Sequence, residues 1–117
     1  MDDRAPDRAA VVALHDHQLL VIRRRRDGRR YAVLPGGGVE TGEQATEAAL
    51  RELREETGLS GDLVRHLWTL DDGDRTAHYF LVEVPARTAQ LRMTGPETGR
   101  QSPDNSYEPC WVGVDDL

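Results

Sequence analysis

Residues 34–59 read LPGGGVETGEQATEAALRELREETGL. The segment changes character half-way. Pro35 ends whatever precedes it, and Gly36-Gly37-Gly38 lets the backbone bend sharply. From Glu43 to Thr57 the composition turns to Ala, Glu, Leu, Arg and Gln, all good helix formers. Thr41 stands where a cap is needed and Gly58 where a left-handed stop is needed, so a helix is predicted over 43–57. At about 100° per residue, Glu52, Glu55 and Glu56 fall within an arc of about 100°. Three carboxylates on one face repel by a few tenths of a kcal/mol per pair, a cost that helix stability does not ask for. A divalent cation would offset it, and Mg²⁺ takes carboxylates together with water and substrate phosphate. Ala45, Ala48 and Ala49 on the preceding turns are expected to leave room for a bulky ligand, with Leu50 and Leu53 facing the core. The competing reading of the glutamates alone is a solvated, salt-bridged helix face, the usual meaning of a charge run.

Working outward, Ala9–Leu14 and Gln18–Arg24 are apolar runs of strand length joined at His15-Asp16-His17, which predicts a hairpin. Asp27-Gly28 marks the next turn, and Tyr31–Leu34 is a short strand that Pro35 stops. Beyond the helix, Asp62–Leu70 and Thr76–Val84 read as strands around Asp71-Asp72-Gly73-Asp74, and Tyr107–Val114 as a last strand, with a helix able to begin at Asp115. Residues 1–7 read as a loose tail and 87–106 as a long loop rich in Gly and Pro. One helix among hairpin-linked strands predicts a single α/β domain over 1–117, with a mixed sheet and helix cover.

The 117 residues suit one core, and 38% hydrophobic with 31% charged residues is ordinary globular composition. No apolar run approaches the roughly 20 residues of a membrane span. The start, MDDRAPDRAA, lacks the basic and apolar regions of a secretory signal. A lone cysteine, Cys110, forms no intrachain disulfide, which fits a cytoplasmic compartment; near the end of a strand it reads as a small core residue. The net charge of −6 argues against binding to a nucleic-acid polymer. All 15 basic residues are arginine, and six of them lie between Arg23 and Arg30, while acidic charge gathers between Glu40 and Glu56. A basic patch beside an acidic one is what a phosphate-and-metal site requires. It is also how two unrelated solvated surfaces look.

The spacing from Gly37 to Leu59 is more specific. Gly37 is followed by five residues, Glu43, seven residues, then Arg51-Glu52-Leu53, one residue, Glu55-Glu56, one residue, Gly58 and Leu59. This 23-residue pattern resembles the signature of the Nudix (MutT-like) hydrolases, with every specified position filled. Leu34-Pro35-Gly36-Gly37 before it, and Glu108 to Val112 near the end, also resemble the family. The resemblance implies an α/β/α sandwich with a mixed sheet. It implies water attack on phosphorus of a nucleoside diphosphate linked to another group, with Mg²⁺ or Mn²⁺. It implies Glu52, Glu55 and Glu56 as metal ligands, with the Gly36 carbonyl able to add an oxygen. Arg51 would orient Glu52, and Glu43 would support the loop–helix junction. Glu52 is the first candidate for the general base and Glu55 the next, with Glu97 and Glu108 outside the motif.

On the substrate side, the glycines Gly37 and Gly38 allow close approach of a ligand. Strand alternation puts Arg23 and Arg25 on one face and Arg24 and Arg26 on the other, and the pair Arg23 and Arg25 is taken as the one that meets a phosphate. Tyr31, Trp68, Tyr79 and Tyr107 are base-stacking candidates that read equally as packing residues; His15, His17, His66 and His78 show no ligand spacing. A small nucleotide, such as a nucleoside triphosphate, is the expected partner, with ADP-ribose, dinucleoside polyphosphates and nucleotide sugars open. The chain stops where many relatives continue into a helix, and an uncovered sheet face would favour a homodimer. Two other functions compete: a nucleotide-sensing module that does not cut, which would be expected to lose motif glutamates, and an isomerase acting on a prenyl diphosphate.

Overall fold

The computed structural model describes residues 5–84 and 105–117. Seven strands and one α-helix form within them: β1 (Arg8–His15), β2 (Gln18–Arg26), β3 (Arg29–Val33), β4 (Gly36–Gly38), α1 (Ala45–Thr57), β5 (Asp62–Asp72), β6 (Arg75–Glu83) and β7 (Asn105–Gly113). A short 3-10 helix, Val114–Asp116, closes the chain. Among these residues no helix is long and apolar enough to cross a membrane.

The predicted hairpin and the turn expected after it both form. Asp16 and His17 have φ of 49° and 58°, and Asp27 and Gly28 have 52° and 78°. Two successive positive φ values give the turn whose twist matches that of the flanking strands. The sheet is mixed, as expected. Its path is β3-β2-β1-β6-β5, with β4 added on β1 and β7 on β2. β6 runs parallel to β1, from Arg8↔Ala77 to Leu14↔Glu83, and the other pairings are antiparallel. One α-helical layer of the expected sandwich lies within the described residues.

The feature that makes a site is where β1 and β2 part. They pair only at Leu14↔Leu19 and His15↔Gln18, beside their turn. Beyond that, β1 takes β4 along Arg8–Ala10, and β2 takes β3 along Ile22–Arg26. The strands diverge, and the mouth of the fork faces the first residues of β1.

The core lies between the sheet and α1. Ala9, Val11 and Ala13 of β1, Leu20 of β2, and Phe80 and Val82 of β6 meet Ala48, Ala49 and Leu53 of the helix. Ala48 and Ala49 therefore do not leave space for a ligand, as the sequence suggested. Both are fully buried, and their small side chains let the helix lie close on β1 and β4.

The helix starts two residues later than expected, because Gln44 rather than Thr41 is the capping position. The Gln44 N–H donates to Glu47 Oε1 at 2.9 Å, as in a capping box. Thr41 and Gly42 instead form a turn in which the Glu43 N–H donates to the Glu40 carbonyl. At the other end Gly58 stops the helix with φ 77°, its N–H donating to the Arg54 carbonyl. Buried Thr57 ties the last turn of the helix to Leu59: its hydroxyl donates to the Leu53 carbonyl at 2.6 Å and accepts from the Leu59 N–H at 3.2 Å. Thr57→Val keeps the shape and strands that N–H. It is expected to cost about 1–2 kcal/mol, read as a lower urea midpoint at unchanged slope.

Residues 1–4 of the expected tail lie outside the described residues, and at its end Asp7 is tied to the fold. Its carbonyl accepts from the Val39 N–H at 2.7 Å, and its carboxylate lies 2.9 Å from His78 Nε2. The long-loop expectation over 87–106 lies outside the described residues except at Asn105 and Ser106, which begin β7.

Candidate functional site

Three elements bring the glycine segment to the helix. β4 pairs with β1 at Arg8↔Gly38, Ala9↔Gly37 and Ala10↔Gly36, and α1 packs against both strands. The fit is close enough to require glycine. A Cβ on Gly36 would overlap the Ala9 carbonyl oxygen and lie 2.9 Å from Ala10 Cα. A Cβ on Gly37 would lie 2.5 Å from Glu52 Oε1. The Glu52 carboxylate thus rests directly on the Gly37 backbone.

Glu56 is held from the same strand, its Oε1 accepting from the Gly36 N–H at 2.7 Å. Glu52 and Glu56 are 8% and 6% exposed, so two carboxylates of α1 are buried beside one glycine strand. Carboxylates seldom go below the surface unless they are paired. The third, Glu55, is the more open, with 32% of its side chain exposed.

Arg51 organises the group. Its Nε and Nη2 form a two-pronged bond to Glu43, at 2.8 and 3.0 Å, and Nη2 also donates to the Gly38 carbonyl at 3.0 Å. Nη1 bridges Glu52 and Glu55, at 3.0 and 3.3 Å, and lies 3.5 Å from Glu40. One guanidinium so faces four carboxylates (Glu40, Glu43, Glu52 and Glu55), a local sum of +1 − 4 = −3 before Glu56 is counted. The hydrogen bonds to Glu43 come first in raising the Arg51 pKa, so it stays cationic. The same bonds, then the Glu40 N–H, hold the Glu43 carboxyl below the ordinary glutamate range.

Glu43 therefore carries a pH-dependent share of stability. Its pKa is lower folded than unfolded, so the contribution is complete above the unfolded value of about 4.3 and is lost as pH falls through the lowered folded value. Glu43→Gln is expected to cost about 1 kcal/mol near neutral pH, less than a fully buried charge-assisted pair because Glu43 stays partly exposed. Urea midpoints taken between pH 3 and 7 should show the gap from the parent chain closing at the acidic end.

Beside the glutamates, at the parting of β1 and β2, lies a cavity of about 590 Å³. Gly36, Gly37 and Glu56 form one wall. Arg8, Arg24 and Arg75 with Tyr31 and Tyr79 form others, which gives three cations and two aromatic rings facing one acidic group. Tyr79 is stacked on Trp68, ring centroids 5.2 Å apart at 24°. Arg24 lies over the Tyr107 ring at 3.8 Å, lies 5.7 Å from the Tyr31 ring, and donates to Asn105 Oδ1 at 3.1 Å.

The arginines that line this cavity are not the expected pair. Arg23 and Arg25 do not line this cavity; Arg24 does. The expected alternation holds, but its other face meets the glutamate wall, because β2 turns Arg24 toward the fork. Arg8 and Arg75 were missed altogether. Each begins its strand, and the parallel pairing of β1 with β6, which local pattern does not reveal, brings the two strand starts to the cavity. Glu108 lies opposite Arg23 in the β2–β7 register and does not line the cavity; Glu97 lies outside the described residues. Cys110 is half-buried, and burial pushes its thiol pKa up, which suits a packing residue.

Comparison with known proteins places the chain. A NUDIX domain model matches residues 4–117. The chain belongs to the NUDIX hydrolase family. It is 40% identical over 130 residues to an RNA pyrophosphohydrolase of Erythrobacter litoralis, covering 93% of this chain and 76% of that protein. It is 35% identical over 83 residues to an ADP-ribose pyrophosphatase of Saccharomyces cerevisiae, covering 67% of this chain and 34% of that one. Among solved structures, a MutT NUDIX hydrolase from Burkholderia pseudomallei superposes with a TM-score of 0.69 at 24% identity, covering 96% of this chain and 85% of that chain. These matches establish the NUDIX fold. The chain spans less than half the length of most curated relatives it matches, 39% in one case and 36% in another.

Proposed function

We propose that this NUDIX domain is a metal-dependent pyrophosphohydrolase. Its substrate is a nucleoside diphosphate linked to a further group, a nucleoside triphosphate or a related small nucleotide. The observation that carries the reading is the excess of carboxylate around Arg51 beside a cavity walled by arginines. Hard oxygen donors of this kind suit Mg²⁺ or Mn²⁺. As they stand, no three acidic, histidine or cysteine side chains among the described residues converge at ligand distance. Arg51 bridges Glu52 and Glu55, and Glu55 is exposed enough to swing away from it.

When bound, the metal would polarise a phosphoryl oxygen and lower the pKa of a coordinated water. Glu52, Glu55 and Glu56 would hold it, with the Gly36 carbonyl as an added oxygen. The chain's own groups do the rest. Arg8, Arg24 and Arg75 bind the diphosphate oxygens, and Arg24 is pre-set by its stacking on Tyr107 and its bond to Asn105. Tyr31 or Tyr79 offers a face to the base. Glu52, fixed between Gly37 and Arg51, is the first candidate to take the proton from the attacking water, and Glu55 the second. Gly37 and Gly38 let the ligand approach the backbone.

The test is a panel of nucleoside triphosphates, oxidised nucleotides, ADP-ribose, dinucleoside polyphosphates and 5′-triphosphorylated RNA, each with and without Mg²⁺. Products are identified by mass in ¹⁸O-water, which also names the phosphorus attacked. Turnover that needs the metal and releases a nucleoside monophosphate or an inorganic phosphate product supports the proposal. Tight binding of a panel member with no turnover in any metal would favour the sensing module instead.

A further inference from the structure

Two tyrosines line the cavity, and they are not equivalent. The Arg24 guanidinium lies over the Tyr31 ring, 5.7 Å from its centre, so Tyr31 already faces a cation. Tyr79 stands differently. In the strand register its neighbours are Trp68 of β5 on one side and Ala10 of β1 on the other. Trp68 covers one face of the ring, with centroids 5.2 Å apart at 24°. On the other side Ala10 offers only a methyl group, and Ala10 lines the cavity too. Among the described residues no further ring or guanidinium lies over Tyr79.

Cross-strand packing accounts for the Trp68–Tyr79 pair. It does not account for the uncovered face on the cavity side. That face lies at a useful distance from the cations. Arg8 pairs with Ala77, two residues before Tyr79 and about 7 Å away along the strand. One ribose spans such a length between a base and its 5′-phosphate. A flat aromatic face braced from behind is what a nucleobase stacks on.

We propose that the cavity-side face of Tyr79 is the seat of the nucleobase, and that Tyr31 is not. Trp68 is a positioning residue, which holds the Tyr79 ring in plane without touching the base. The inference rests on the proposed activity for the ligand being a nucleotide.

The experiment starts from Trp111→Phe, which leaves Trp68 as the single tryptophan of the chain. The exchange is mild, because Trp111 Nε1 is buried with no hydrogen-bond partner among the described residues. α,β-Methylene-ADP and methylenediphosphonate, whose bridging carbon resists cleavage, are titrated in Mg²⁺ by calorimetry and by Trp68 emission. The nucleoside compound should change the emission and bind at least tenfold more tightly than the diphosphonate. Tyr79→Leu should lower that advantage about tenfold and leave diphosphonate binding unchanged, whereas Tyr79→Phe keeps both. On the parent chain, by calorimetry, Trp68→Ser should lower it about threefold and Trp68→Phe restore it. Tyr31→Leu should leave it in place. If Tyr31→Leu removes the advantage and Tyr79→Leu does not, or if Trp68 emission ignores the nucleoside compound, the seat is overturned and the hydrolase reading stands. If neither compound binds, the hydrolase reading falls and takes the seat with it. Should Tyr79→Leu fail to fold, Trp68→Ser and Tyr31→Leu carry the comparison, since those side chains are 46% and 41% exposed.

Discussion

Glu56→Gln is expected to lower kcat/KM on the order of a thousandfold while the protein stays folded. The size comes from what the carboxylate would do. A metal that stabilises charge on a transferring phosphoryl group supplies several kcal/mol, and each 1.36 kcal/mol is a factor of ten in rate. Losing about 4 kcal/mol of that stabilisation gives the stated fall. The fold survives because of what the carboxylate does in the free protein. Its Oε1 accepts from the Gly36 N–H at 2.7 Å, and the glutamine amide oxygen can accept the same bond. The new NH₂ group turns toward the cavity that Glu56 lines, where water can satisfy it. Activity should therefore drop with little change in melting temperature, and the Mg²⁺ concentration for half-maximal rate should rise. A variant that keeps more than a tenth of the parent kcat/KM at saturating Mg²⁺ would show that Glu56 is not a ligand.

The grouping of Glu52, Glu55, Glu56, Arg51 and Glu43 was legible because they belong to one continuous segment. Helical period fixes which side chains share a face, and the spacing of the glycines fixes what lies in front of them. The fork that makes the cavity was not legible. It depends on β1 exchanging β2 for β4 after two residue pairs, and on β6 pairing in parallel with β1 from 60–70 residues away. No local pattern encodes such exchanges, so Arg8, Arg75 and the choice of Arg24 over Arg23 emerged only from the register. The misreading of Ala48 and Ala49 has a related cause. A small side chain on a helix leaves a space in sequence terms, and here a strand lies close against it. The late helix start is different again. Thr41 is a good cap by type, but Glu43 is drawn off by Arg51 and the Glu40 N–H, and the Gln44–Glu47 pair makes the better start.

Gly36→Ala is expected to destabilise the protein by about 3 kcal/mol or more. The added methyl group meets backbone on the neighbouring strand, the Ala9 carbonyl oxygen and Ala10 Cα. Neither can rotate aside. Relief requires β4 to move off β1, which lengthens the bonds of that pairing and pulls the Gly36 N–H from Glu56. Overpacking that strains a backbone costs about 1–3 kcal/mol, and stranding a buried carboxylate adds to it. For a domain of this length each kcal/mol lowers Tm by about 4–6 °C, so a fall of more than about 10 °C is expected. Gly37→Ala provides the contrast. There the methyl group meets the end of a side chain, Glu52 Oε1 at 2.5 Å, and a side-chain end can turn away. Tm should change little, whereas displacing the first candidate base should reduce kcat at least tenfold. Thermal melts and initial rates on the two variants separate the roles: Gly36 admits the strand to its place, and Gly37 leaves the space that the Glu52 carboxylate occupies. Equal losses of Tm in both would mean that Glu52 is as rigidly held as the backbone of β1, and the distinction between a structural and a chemical glycine would fail.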